Sequence, residues 1–113
     1  MVPSALRQFD LLVIEFPFVD QERVRLRPAL VLSPAQFIAD TGVASLAMIT
    51  REAASPWPGD VVLVDQASAG LHKPSKVRMK FHSVAVDGAI AVGQLAPDDQ
   101  RAIRAALKDH LAL

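Results

Sequence analysis

Between Phe9 and Val92 the apolar residues come in short runs, each closed within a few positions by proline, glycine, aspartate or arginine. Only the final stretch repeats with a helical period. This punctuation leaves no room for a long helix ahead of the tail, and the chain must build its core from short strands. Phe9 to Phe16 (FDLLVIEF) is a β-rich apolar run that reads as a buried strand, ended by Pro17 and followed by a polar connection, Val19 to Glu22. Arg23 to Arg27 then alternates strictly, with Arg23, Arg25 and Arg27 on one face and Val24 and Leu26 on the other. That strand continues through Ala29 to Leu32 and stops at Ser33-Pro34, and Gln36 to Gly42 reads as either a short helical turn or a loop. Val43 to Thr50 is a third strand, Ser55-Pro56-Trp57-Pro58-Gly59 is loop, and Asp60 to Val64 is a fourth strand.

The fifth strand is the clearest chemically. Lys76, Arg78, Lys80 and His82 alternate with Val77, Met79 and Phe81, so one face is cationic and the other is core. The parity breaks near Ser83, which predicts a bulge or bend there, and Ala89 to Val92 reads as a further short strand. Pro97 then stands at a first helical position with Asp98 and Asp99 in the first turn, where the helix dipole favours acids. Ile103, Leu107 and Leu111 form one apolar stripe on this C-terminal helix, and Ala96 is a poor cap for it. The expected architecture is mainly β: a small, strongly bent antiparallel barrel with the helix packed on it, as one domain over residues 1–113.

Size and charge narrow the function. At 113 residues and 51% hydrophobic content the chain can bury one core, and no run approaches the roughly 20 apolar residues of a membrane span. The N-terminal residues show no secretory signal. The absence of cysteine excludes disulfides and thiolate metal sites and fits a reducing cytoplasm, which is the expected location. Net charge is zero, so no global field draws the protein to nucleic acid. Yet Gln66 to Val86 contains no acid while it carries Lys73, Lys76, Arg78 and Lys80 with His72 and His82. Such a tract suits either a nucleic-acid face or a solvated strand face.

Three familiar chemistries lack their residues. The histidines are scattered without metal-ligand spacing, the glycines stand singly rather than in a phosphate loop, and there is no nucleophile elbow. No metal or cofactor is expected. What remains is RPALVLS, Arg27 to Ser33, followed by MITR, Met48 to Arg51. An obligate cation opens one strand and a hydroxyl closes the next, so Arg27 and Thr50 can meet at one rim. Together they suit a phosphate whose charge grows during reaction, although the same residues serve equally to open and close strands. Trp57 either stacks on a base or plugs its own barrel end, and Phe16, Phe18 and Phe81 are the other aromatics near these strands. His72 and His82 form a further, weaker acid–base pair.

Taken in order, the strand ending in FPF (Phe16 to Phe18), RPALVLS, MITR, AGLHKPSKVR (Ala69 to Arg78) and the helix from LAPDD to DHL resemble the MazF/PemK family of toxin–antitoxin toxins over nearly the whole chain. The resemblance implies an SH3-like barrel with a C-terminal helix and a homodimer. It also implies metal-independent cleavage of single-stranded RNA at short sequences by 2′-hydroxyl attack, leaving a 2′,3′-cyclic phosphate and a 5′-hydroxyl. A separate antitoxin protein would occupy the same groove. The family's catalytic arginine and threonine fall on Arg27 and Thr50, with Arg25, Arg51, Lys76, Arg78, Lys80 and His82 as RNA-binding candidates. Three features depart from the pattern. The loop before Arg27 reads Asp20-Gln21-Glu22-Arg23-Val24, and Lys80 stands where some relatives carry an aspartate proposed as the base. The first strand opens with Phe9-Asp10 where relatives usually have Gly-Asp. The base is therefore open between Glu22, His82 and a water held by Thr50. The alternative reading is a catalytically inactive MazF-like module that binds RNA or an antitoxin.

Overall fold

A computed structural model describes residues 6–15 and 26–113. Its elements are β1 (Asp10–Glu15), β2 (Leu26–Val31), α1 (Ala35–Thr41), β3 (Val43–Arg51), β4 (Val61–Val62), β5 (Ser75–Ala85), β6 (Gly93–Gln94) and α2 (Pro97–Leu111). The strands form one antiparallel six-stranded sheet in the order β4-β5-β3-β2-β1-β6, curled into a half-barrel. Gln36 to Gly42, open between helix and loop in the sequence, falls almost wholly within α1, which Gly42 closes in the left-handed region at φ 72°.

Both faces of this sheet are covered, which explains why the central strands read as continuous apolar runs rather than alternations. On the concave face Leu11, Leu30, Ala47, Ile49, Val77 and Met79 pack with Ile103 of α2. On the convex face Leu12, Ala29, Val31, Ala44 and Leu46 pack with Ile38 of α1 and with Leu6 and Val86. The α2 stripe holds only at its upper end: Ile103 is fully buried, Leu107 is half-buried and Leu111 is 55% exposed. Ala96 provides no side-chain cap. Instead Asp99, 1% exposed, accepts the Val64 and Asp65 backbone N–H groups at 2.9 Å each and so ties the helix to the chain leaving β4.

The sheet corrects two expectations. The β3–β5 register runs Ala47↔Phe81 and then Met48↔Arg78, so Met79 and Lys80 are the extra residues of a bulge. The irregularity thus precedes Ser83, which pairs regularly with Ser45. The last short strand is Gly93–Gln94 rather than Ala89 to Val92. There the chain crosses residues 69–70 so closely that a Cβ on Gly93 would lie 2.3 Å from the Ala69 carbonyl. Only glycine permits that approach, and hydrophobicity says nothing about it.

Phe9 is the second backbone anomaly. It sits in the left-handed region at φ 72°, where relatives' glycine costs nothing and a phenylalanine costs about 1–2 kcal/mol. Its ring is 2% exposed in the concave core, and the Arg104 guanidinium lies 4.8 Å from the ring centroid. Buried aromatic area offsets the strained backbone.

Candidate active site

Arg27 and Thr50 come together because of strand register. β2 and β3 pair as Val31↔Leu46, Leu30↔Ala47 and Ala29↔Met48. The pairing ends there, and Arg27 and Thr50, each two residues further along its own strand, line the cleft that opens beyond the last pair. Thr50 pairs with Lys76 on β5, and Arg27 pairs with Ile14 on β1. At this rim opens a cleft of about 330 Å3. Leu26, Pro28, Ile49 and Leu71 form its apolar wall, and Arg27, Thr50, Arg51, His72, Lys73 and Ser75 supply its polar groups.

Arg27 Nε is buried and has no hydrogen-bond partner among the described residues. A buried unsatisfied donor costs about 1–3 kcal/mol, more for a charged group, and native proteins rarely tolerate one without a use. An oxyanion entering the cleft satisfies it, and the guanidinium fork suits phosphate oxygens. Thr50 is half-buried beside it and offers a hydroxyl, while Arg51 is exposed at the rim.

The remaining cationic residues divide differently from the single open face expected over Lys76 to His82. Lys76 is 5% exposed; its Nζ donates to the Ala54 carbonyl at 2.7 Å and lies 3.2 Å from Asp60 Oδ2. Arg78 grips the same carboxylate with Nε at 3.1 Å and Nη2 at 3.0 Å, and Nη2 also donates to the Ser55 carbonyl. These two cations hold the 52–60 loop, so Lys76 is a buried structural partner rather than an open phosphate contact. Burial acts to raise the Asp60 pKa, but the hydrogen bonds from Arg78 and Lys76 outweigh it and hold the carboxyl below its ordinary value.

Asp60 is the residue that sequence reasoning missed. The available signal was a lone acid between a Pro-Gly loop and a strand, facing a cationic neighbour strand. Its pairing positions Trp57, whose N–H donates to Asp60 Oδ2 at 3.1 Å and whose Nε1 donates to the Met79 carbonyl at 3.2 Å. The indole stays 39% exposed, with the Arg78 guanidinium 5.6 Å and Lys80 Nζ 5.2 Å from its ring centroid. Trp57 therefore lies against the cationic strand β5 and does not plug the barrel.

His82 is exposed on β5 opposite Leu46, four residues along β3 from Thr50, or about 13 Å. It is thus well away from His72 in the cleft, and the two do not form one acid–base pair. Phe81 packs on the concave core and meets the His110 ring edge-on at 5.2 Å. Arg25, Glu22, Phe16 and Phe18 lie outside the described residues.

A family profile described as the PemK-like, MazF-like toxin of type II toxin–antitoxin systems matches residues 7–111. The chain belongs to the MazF/PemK family. Among solved structures, MazF from Deinococcus radiodurans superposes with a TM-score of 0.76 at 25% identity, covering 98% of this chain and 100% of that one. An endoribonuclease bound to its cognate antitoxin, from a mycobacterial species, gives 0.75 at 17% identity over 98% and 97%. The Mycobacterium tuberculosis toxin MazF-mt6 gives 0.72 at 19% identity over 92% and 97%. No curated protein sequence matches significantly. The barrel-like sheet with its C-terminal helix is the MazF fold, as the motifs implied. Among the described residues no helix is long and apolar enough to cross a membrane.

Proposed function

We propose that this chain is a toxin endoribonuclease that cleaves single-stranded RNA at short sequences without a metal ion. The observation that carries the reading is the buried Arg27 Nε, unpartnered among the described residues, in one open cleft with Thr50. Family membership and relatives solved as an endoribonuclease–antitoxin complex and as MazE–MazF complexes support it. In this reading the scissile phosphate lies on Arg27. The RNA 2′-hydroxyl attacks phosphorus, and the products are a 2′,3′-cyclic phosphate and a 5′-hydroxyl. Arg27 binds the non-bridging oxygens and stabilises the charge that builds in the phosphorane, while Thr50 donates a second hydrogen bond. Arg27 is not the base, because a guanidinium does not give up its proton in a protein. Losing one such donor costs on the order of 10²–10³ in rate.

The strand then extends toward the bulge. Arg78 pairs with Met48, two residues from Thr50, which places its backbone about 8 Å from that of Thr50. Beyond it the Trp57 indole with Lys80 offers a stacking surface for an unpaired base. Arg25, Arg51 and His82 complete the RNA contacts. The protein acts in the cytoplasm as a homodimer, and an antitoxin segment competes for the same groove.

The test is incubation with a mixed single-stranded RNA pool in EDTA, followed by end mapping, with Arg27→Ala beside it. Discrete cuts with 5′-hydroxyl ends, absent from the folded variant, are expected. Full activity in Arg27→Ala overturns the assignment. A second reading, a binding module without catalysis, draws on the lack of any carboxylate among the described residues lining the cleft. Stoichiometric RNA binding without product from the wild-type protein would establish it.

A further inference from the structure

We infer that His72 is the general base of this cleavage, an assignment that rests on the ribonuclease reading above. The polar groups of the cleft are Arg27 from β2, Thr50 and Arg51 from β3, and His72, Lys73 and Ser75 from the β4–β5 connection and the start of β5. A base for a 2′-hydroxyl needs a lone pair available near neutral pH. The two guanidiniums have none to offer, the hydroxyls are very weak bases, and an ordinary lysine is protonated up to about pH 10. Among the described residues that leaves the His72 imidazole, the side-chain type whose charge changes between pH 5 and 8.

His72 is also held in place. On its N-terminal side the Leu71 N–H donates to the Gln66 carbonyl at 2.9 Å and the Gly70 N–H to the Ala67 carbonyl at 3.0 Å. Leu71 itself packs against the concave core. On the C-terminal side the Ser75 hydroxyl donates to the Lys73 carbonyl at 2.8 Å, and the Pro74 carbonyl accepts the Glu52 N–H at 3.0 Å. The connection is therefore folded on itself before His72, packed on the core through Leu71 and tied after it to the end of β3, while His72 is exposed and lines the cleft. This is the arrangement a base requires: a fixed backbone and a ring open to substrate.

The step balances without a co-reactant. A neutral imidazole nitrogen takes the 2′-hydroxyl proton as the O2′–P bond forms, and the P–O5′ bond breaks. The departing O5′ takes a proton from water, and the imidazolium returns one to solvent. Arg27, Arg51 and Lys73 line the same cleft as His72, so the charges around it are those that gather an anion.

The test uses wild type, His72→Ala and Glu22→Gln on an oligonucleotide containing a mapped cleavage site, from pH 5 to 8.5, with and without added imidazole. His72→Ala is expected to fold, because the side chain is exposed, and unchanged circular dichroism and melting would show it. Its kcat should fall about 10²-fold or more with KM little changed. The rise of kcat with pH seen in wild type should flatten, and imidazole in the buffer should restore part of the rate. The loss should persist on a substrate with a 5′-sulfur leaving group, which needs no proton to depart. Disappearance of the loss on that substrate makes His72 an acid and overturns the assignment. Cleavage within a few-fold of wild type also overturns it, as does a pH limb lost in Glu22→Gln but kept in His72→Ala. Either of the last two leaves the ribonuclease intact, whereas a wild-type protein that cuts no RNA removes both.

Discussion

Asp60→Asn should cost about 3–5 kcal/mol, although the residue lies outside the cleft. Its carboxylate is 12% exposed and meets two cations, Lys76 at 3.2 Å and Arg78 at 3.0 Å. Lys76 is the more critical partner because its side chain is only 7% exposed. With asparagine, the ammonium keeps its hydrogen bond to the Ala54 carbonyl but loses its counter-charge, and one side-chain oxygen becomes an NH2 turned toward cations. Breaking a buried pair by removing one partner costs about 3–5 kcal/mol, most of it the stranded charge. For a domain of this size that corresponds to a fall of roughly 12–25 °C in melting temperature. Urea unfolding of the wild type, Asp60→Asn, Lys76→Met and the double variant checks the account. The double variant should recover at least half of the loss, since it removes the more buried of the two cations, Lys76, and leaves only Arg78 without its carboxylate. A loss under about 1 kcal/mol in Asp60→Asn, or additive losses in the double variant, would refute the reasoning.

The same carboxylate sets a pH dependence. Its folded pKa is lowered from 3.8, so its contribution is complete above that value and is lost as pH falls through the folded pKa. The stability gap between wild type and Asp60→Asn should therefore narrow below about pH 4 in acid unfolding. Phe9→Gly relieves about 1–2 kcal/mol of backbone strain but forfeits about 3–5 kcal/mol of buried ring, so denaturation should show a net loss near 2 kcal/mol. A stabilised variant would show that the ring contributes little. Trp57→Ala should weaken RNA oligonucleotide binding, measured by fluorescence anisotropy, by about 1–3 kcal/mol, while unfolding changes less; unchanged affinity would remove the stacking role.

Much of the fold could be read along the chain because its causes are local. The α2 start at Pro97 follows from a residue that presets φ and needs no N–H partner, and the β5 alternation follows from the pleat. RPALVLS and MITR likewise marked where Arg27 and Thr50 fall on their strands. Whether they meet was a matter of register. Register is set by which residues find a partner across the sheet, and the sequence lists only candidates for that.

Other features depended on groups distant in sequence. The bulge at Met79 and Lys80 arises where β5 must pass both Met48 and Ala47. The demand for glycine at Gly93 arises from backbone crossing more than twenty residues away in the chain. In the sequence Asp60 only opened a strand and Asp99 only favoured a helix start, until tertiary contacts gave one two buried cations and the other two orphan N–H groups. The sequence by itself determined that short strands build the core, that one helix closes the chain, and which strands carry Arg27 and Thr50. Tertiary structure alone decided which charges remain available to a ligand and which are consumed in holding the fold, because the free energy of a charge depends on what surrounds it and not on its neighbours in the chain.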